Sequence, residues 1–309
     1  MIGCVGDVVL DVSVRLLDTV RHDTDTPAEI QHRQGGSAAN VAVEAARLCG
    51  ESRFIGVIGA DLAGDRLAAE LQSHGVAVCG TRVGRTGCVV ALLNEAGEAT
   101  MLTDRAAANQ LNEWSPEWLD RLTALHVTSY ALFVEPIAST TKSLITQAQT
   151  RAIPVSIDVS SVGAVADFGI SLYVETLFEI QPNILFANAA EAELLLSCDE
   201  LLNKSDRDSY RDSDRDIAQR TETLLSLAEV VVIKQGPDPV ILLCRESVGA
   251  DETKLEIAVP KLAAVTDTLG AGDAFAAGFL SAKTVNNLTW QEATIAAVEV
   301  ATDLLNRRL

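Results

Sequence analysis

Hydrophobic positions fall in short runs that alternate between two periods. Ile2–Leu10 is a near-continuous apolar run and reads as a buried strand. Asp11–Arg33 is more polar and carries two short strand-like pieces, Val12–Leu17 and Glu29–Arg33. Gly35-Gly36-Ser37 then opens an Ala/Val-rich helix to Leu48, followed by a strand at Arg53–Ile58 and a helix at Leu62–Ser73. Three further strands are expected at Val76–Val83, Gly87–Leu93 and Glu98–Thr103, the last two joined by a hairpin turn at Asn94–Gly97. From there strands at Ala124–Thr128, Pro154–Asp158, Ile184–Ala187 and Val230–Lys234 alternate with helices at Pro116–Leu122, Ala138–Thr150, Ala189–Leu196 and Asp216–Leu227. Val240–Cys244 and Leu255–Val259 form a late β pair, and helices at Ala271–Lys283 and Thr289–Leu304 follow.

This alternation predicts an α/β fold with a doubly wound, mainly parallel sheet and helices on both faces. One unit spanning residues 1–309 is expected, with no internal repeat. The extra strands within about 11–34 and 80–106 do not fit the winding and read as a small β-sheet lid beside the main layer. Ser205–Asp216 holds five Asp and three Arg with no apolar face, so it reads as a solvated loop or a frayed helix start.

Composition narrows the function. The chain has 309 residues and 48% hydrophobic content, ample for a sizeable core. Its formal net charge of −19 repels phosphate backbones and anionic lipid, which argues against nucleic-acid and membrane roles. Any anionic ligand would therefore have to be held by local dipoles and a metal, against the overall field. Six scattered cysteines lack C-x-x-C spacing, and the four histidines lack ligand spacing, so zinc and redox chemistry are not indicated. Thiols in apolar runs, with no leader-like start and no apolar run near about 20 residues, point to a cytoplasmic protein.

One segment carries chemistry. Gly270-Ala271-Gly272-Asp273 precedes an apolar helical run, so its small residues sit at a helix N-terminus. Free N–H groups and the helix dipole favour an anion there, and glycines let a phosphoryl group approach the backbone. A carboxylate at Asp273 can take the proton of an attacking hydroxyl. Taken alone, the segment reads as well as a tightly packed helix start with an acid in its first turn.

With its neighbours, Asp267-Thr268-Leu269-Gly270-Ala271-Gly272-Asp273 followed by Ala277-Gly278 resembles the C-terminal signature of the ribokinase-like family, also called the PfkB family of carbohydrate kinases. Gly35-Gly36-Ser37-Ala38-Ala39-Asn40 resembles the N-terminal signature, and Ile55–Gly64 the family's strand-to-helix connection. The resemblance implies an ATP-dependent kinase with Asp273 as base and Gly270, Ala271 and Gly272 as anion hole. It puts Asp267 where relatives bind a monovalent cation such as K⁺.

At the substrate end, Gly6-Asp7 closes the first strand and Asp11 follows. A carboxylate accepts two hydrogen bonds from a diol, although an acid here also suits a turn cap. The resemblance makes Asp11 the substrate acid, with Asp7 close by, Gly35, Gly36 and Asn40 against the polyol, and Glu135 where ribokinases carry a sugar-contacting Glu. Arg105 ends the second lid segment and either meets an acidic group of the substrate or is solvated.

At the nucleotide end, Asn188-Ala189-Ala190-Glu191 matches the family's N-x-x-E motif, in which Glu191 acts on Mg²⁺ through water. The same residues suit a helix capping box, and both roles are compatible. Val231-Val232-Ile233-Lys234-Gln235-Gly236 departs from the family, with Lys234 where relatives have Thr and Pro239 where they have Gly. Lys234 and Gly236 are expected at the nucleotide phosphates.

The expected activity is phosphorylation of a primary hydroxyl on a sugar or sugar-like molecule, with ATP and Mg²⁺ as cofactors. A nucleoside kinase of the same fold and a non-catalytic ligand-binding relative are the alternatives. Relatives pair lids across a dimer, so a homodimer through the lid is expected. A Rossmann dehydrogenase is disfavoured because G-x-G-x-x-G is missing after the first strand.

Overall fold

Four consecutive fully buried residues, Ile2–Val5 (β1), set the centre of the molecule. Only a strand flanked on both edges and covered on both faces can bury every side chain. β1 pairs in parallel with β4 (Ser52–Ile55) on one side and β8 (Ala124–Thr128) on the other. Outward from β4 lies β5 (Val76–Cys79). Outward from β8 come β9 (Val155–Asp158), β10 (Ile184–Asn188) and β11 (Val230–Gln235), all parallel. β12 (Asp238–Arg245) and β13 (Glu252–Ile257) finish this nine-stranded sheet as an antiparallel edge. The computed structural model describes residues 1–93, 99–198, 213–245, 252–262 and 268–307.

Alternate side chains of these strands feed two cores. Ile2, Cys4, Ile184 and Phe186 face α1 (Ser37–Cys49), α2 (Leu62–Ser73), α8 (Ala271–Leu280) and α9 (Trp290–Asn306). Val5, Leu185 and Ala187 face the layer of α3 (Ile137–Thr150), α5 (Ile170–Ile180), α6 (Ala189–Leu196) and α7 (Ser213–Leu225). Helices therefore cover both faces, as expected.

The extra strands form a separate four-stranded sheet in the order β3 (Ala28–Gly35), β2 (Val9–Leu16), β6 (Gly87–Leu93) and β7 (Ala99–Asp104). The β2–β6 pair is parallel and the outer pairs are antiparallel. The expected turn at Asn94–Gly97 lies outside the described residues, as do residues 205–212 of the charged stretch; from Ser213 that stretch is helical.

Several expectations are corrected. The first apolar run is two strands, because the chain leaves the large sheet after Val5, turns through Gly6 at φ 149°, and enters the small sheet at Val9. Pro116–Leu122 forms only a 3₁₀ turn, Pro116–Leu119. Two helices were not anticipated, α4 (Val162–Phe168) and α5, separated by Gly169 at φ 100°. α5 buries Tyr173, Val174, Leu177 and Ile180, but its outer face mixes the exposed Leu172 and Phe178 with Glu175 and Glu179, which interrupts the polar stripe that marks an amphipathic helix in sequence. The helix from Ala271 ends its α-helical part at Leu280 and continues as a π turn, Ser281–Val285.

Candidate active site

Parallel strands deliver their carboxyl ends to one edge of a sheet, and loops there form the crevice where ligands bind. Here that edge carries Asp7 just after β1, Asp158 ending β9, Asn188 ending β10 and Lys234 near the end of β11. A cavity of about 1350 Å³ opens along it. Its wall includes Asp7, Asp11, Gly36, Asn40 and Arg105 at one end. Asn188, Glu191, Lys234, Gly236 and Gly270–Asp273 line it further along.

Two helix starts meet at Asp273. Gly36, at φ 96°, turns the chain from the small sheet into α1; a side chain there would stand 2.5 Å from the Asp7 carbonyl. This turn brings Ser37 and Asn40 onto one face of the first turn. Ser37 Oγ donates to Asp273 Oδ1 at 2.6 Å, and Asn40 Nδ2 donates to Oδ2 at 2.8 Å. Gln34 Nε2 donates to Asn40 Oδ1 at 3.0 Å, which orients the amide toward the carboxylate. The loss of water around Asp273, with Asp158 nearby, outweighs these bonds and the Lys234 charge, so its pKa is pushed up to about 6.

The glycine loop keeps its expected place. Gly270 adopts the left-handed conformation and starts α8. The Ala271 N–H turns back to the Thr268 carbonyl at 3.1 Å. Among the described residues, the Gly272 and Asp273 N–H groups are then the first-turn donors with no backbone acceptor. Asp267 lies outside the described residues.

Across the cavity, Asn188 and Glu191 form a full capping box at the start of α6. Asn188 Oδ1 accepts from the Glu191 N–H at 2.9 Å, and Glu191 Oε2 accepts from the Asn188 N–H at 2.8 Å. Burial first, then the Asp158 charge, lifts the Glu191 carboxyl well above the usual range. Lys234 Nζ donates to Asp158 Oδ2 at 2.6 Å. Burial pulls the ammonium down, but Asp158, Glu191 and Asp273 outweigh it and its pKa stands raised.

At the other end, Arg105 is not solvated. It is ion-paired to Asp7 and its guanidinium lies 3.5 Å from the Tyr130 ring centroid. Asp11 lines the cavity from β2. Gly35 stands behind it, where an added side chain would overlap the Asp11 carboxylate. Glu135 is not brought to the cavity wall. It is exposed and accepts from Ser139 Oγ at 2.8 Å at the start of α3, while its neighbours Phe133 and Val134 line the cavity. Of the four histidines, His22, His32 and His74 are exposed. His126 is buried against Phe186, and burial lowers its pKa to about 4.

Sequence reasoning missed Ser37, Gln34, Tyr130 and Asp158. For Asp158 a signal existed, because an acid closing the apolar strand Val155-Ser156-Ile157 stands where ligands bind in such sheets. Ser37 was in view as part of a glycine turn, but its partner lies 236 residues away.

A family model described as pfkB family carbohydrate kinase matches residues 1–305. The chain is 30% identical to a fructokinase of Salmonella typhimurium over 264 residues, 82% of this chain and 78% of that protein. It is 28% identical to an ATP-dependent ribose-1-phosphate kinase of Halopiger xanaduensis, covering 89% of this chain and 82% of that one. Among solved structures, adenosine kinase from Sinorhizobium meliloti superposes with a TM-score of 0.81 at 20% identity, over 99% of this chain and 93% of that chain. A probable sugar kinase from Rhizobium etli gives 0.80 at 19% identity, over 99% and 92%. With a family match over nearly its whole length and the fold of these kinases, the chain belongs to the pfkB family of carbohydrate kinases.

Proposed function

We propose that this protein transfers the γ-phosphoryl group of ATP to a primary hydroxyl of a small sugar or sugar-like substrate. The observation that carries this reading is the Asp273 carboxylate, held by Ser37 and Asn40 at the first turn of α8, inside a cavity with room for two ligands. Asp273 takes the hydroxyl proton as the oxygen attacks the γ-phosphorus in line, and ADP departs. In the Gly270–Gly272 loop and at Asp273, the first-turn N–H groups of Gly272 and Asp273 face the charge that develops on the phosphoryl oxygens, and the Ala271 N–H braces the loop through Thr268. Asp11, Asp7, Arg105, Gly36 and Asn40 hold the acceptor.

Asn188, Lys234 and Gly236 hold the nucleotide. The apolar end of the cavity, with Val240, Val259, Phe275, Val298 and Leu305, suits the adenine ring. Oxygen donors at Asn188 and Glu191 suit Mg²⁺, a hard cation that keeps most of its waters and needs few protein ligands. Glu191 Oε2 is engaged by the Asn188 N–H, which leaves Oε1 for a metal-bound water. Mg²⁺ would shield the phosphates and order them for attack. Asp267 is the residue for a monovalent cation such as K⁺.

The four-stranded sheet serves as a lid on a chain that works as one unit, since Val9, Asp11, Val89, Met101 and Thr103 of that sheet reach the cavity. Its opposite face is apolar, and we assign that face to a second copy of the chain. A cytoplasmic setting, where ATP is available, follows from the same reading. No helix among the described residues is long and apolar enough to cross a membrane. An ADP-release assay over sugars, sugar phosphates and nucleosides tests the activity. Acceptor-dependent ADP formation with Mg·ATP is expected, and its absence across the whole set overturns the reading.

A further inference from the structure

Six carboxylates line the cavity, those of Asp7, Asp11, Asp158, Asp167, Glu191 and Asp273. Among the described residues only two basic side chains, Arg105 and Lys234, line it with them. Arg105 is already bound to Asp7 and stacked on Tyr130 at the acceptor end. Lys234 is therefore the one lining cation beside α8, where a nucleotide's terminal phosphates would lie. Unaided, so acidic a wall repels a triphosphate.

The surroundings of Lys234 are built on two sides. On one side its Nζ is 2.6 Å from Asp158, and the two side chains are 17% and 7% exposed. On the other is the first turn of α8, where a methyl group added at Gly272 would stand 3.3 Å from Nζ. The missing Cβ keeps that side of the ammonium open toward the helix N-terminus. A lysine has three donors on a flexible stem, so it can turn from one anion to another without moving its backbone. A polyphosphate at the helix start carries more charge than one carboxylate, and there the helix dipole adds to its hold.

We propose that Lys234 grips the terminal phosphates of the bound nucleotide, and that Asp158 is its resting partner, competing with those phosphates for the ammonium. This rests on the kinase reading above. Asp158 acts through Lys234 and is a positioning residue. In the free protein it keeps the ammonium charged and aimed; in the complex it releases it. Asp158 also faces Glu191 and Asp273 through the same space, so its charge opposes nucleotide binding twice, by holding Lys234 and by repelling phosphate.

Titration calorimetry with Mg·AMP-PNP tests this, with AMP as a control lacking terminal phosphates. The proteins are wild type, Lys234→Met, Asp158→Asn and the double variant. Lys234→Met should lose on the order of 10- to 100-fold in Mg·AMP-PNP affinity, the range of a charge-assisted hydrogen bond, and keep its affinity for AMP. Asp158→Asn should bind Mg·AMP-PNP several-fold more tightly than wild type. In the Lys234→Met background the Asp158→Asn change should give a smaller gain, because the competition for Lys234 is gone.

Wild-type affinity for Mg·AMP-PNP in Lys234→Met, or weaker binding in Asp158→Asn, overturns the proposal. Lys234→Met strands a buried carboxylate and can unfold the chain. In that event wild type, Asp158→Asn, whose Lys234 ammonium still has Glu191 and Asp273 nearby, and the double variant, which strands neither charge, decide: Asp158→Asn should bind Mg·AMP-PNP more tightly than wild type, and the double variant more weakly than Asp158→Asn. If wild type binds neither nucleotide, the kinase reading itself fails, and this proposal fails with it. If wild type binds both and only the variant pattern is wrong, the kinase reading stands.

Discussion

Asp273 balances two opposed influences. Loss of water raises its pKa to about 6, and the hydrogen bonds from Ser37 and Asn40 pull it down. A base works only as the carboxylate, so kcat/KM should fall as pH drops through about 6. Asn40→Ala removes one of the bonds that favour the charged form, so the acid limb of that pH profile should move to higher pH. A limb that stays in place or moves down contradicts the assignment. At this scale the sequence was partly legible. Asp273 and Glu191 announce themselves because each sits in a contiguous motif that also starts a helix. Asp158, Gln34 and Ser37 act through partners 76, 6 and 236 residues away, and spacing does not encode a contact made by folding. Glu135 shows the converse: a motif position whose side chain has a nearer donor in Ser139 and turns to it.

Among the elements, those with a clear period and a cap were legible almost to the residue. α2 begins after Asp61, whose carboxylate accepts from the Gly64 N–H at 2.9 Å. The same side chain accepts from Thr86 through its N–H at 2.8 Å and its hydroxyl at 2.5 Å, tying α2 to the approach to β6. These bonds, the Thr86 hydroxyl first, lower the Asp61 pKa to about 2. Its folded value is depressed, so its stabilisation is present above the ordinary value of 3.8 and is lost as pH falls toward about 2. Asp61→Ala should cost about 1–2 kcal/mol at pH 7, the upper range for an N-cap. In chemical denaturation the gap to wild type should narrow as pH is lowered from 4. A gap independent of pH would contradict the capping account. Elements without such punctuation escaped notice. α4 is only seven residues long and the outer face of α5 mixes Leu172 and Phe178 with its glutamates, so the helical stripe between β9 and β10 is interrupted in the sequence.

At the scale of the whole molecule, two sheets with different tasks explain both the winding and its exception. The nine-stranded sheet fixes the carboxyl-end edge where the site assembles, and this was legible from alternation alone. The four-stranded sheet was legible as an excursion, though its strand order was not, because β2 pairs with β6 across about seventy residues of intervening chain. Cross-strand register places Val12 beside Val90 and Leu102, and Val14 beside Ile30 and Leu92, on the face away from the cavity. Ile30 and Leu102 are 56% and 55% exposed. An apolar sheet face of this kind needs a cover, and the proposed second copy would supply a matching one. Sedimentation velocity at micromolar concentration should give a dimer, and Ile30→Asp with Leu102→Asp should give a folded monomer. A wild-type monomer would contradict this use of the face.

The central claim is that Asp273 is the base in phosphoryl transfer. Its most direct test is the turnover of Asp273→Asn in the ADP-release assay, with the best acceptor found and with circular dichroism confirming the fold. Loss of a general base costs roughly 10²- to 10⁴-fold, and the account predicts a fall in kcat within that range with little change in Mg·ATP affinity. Near-normal turnover in the folded variant would contradict it.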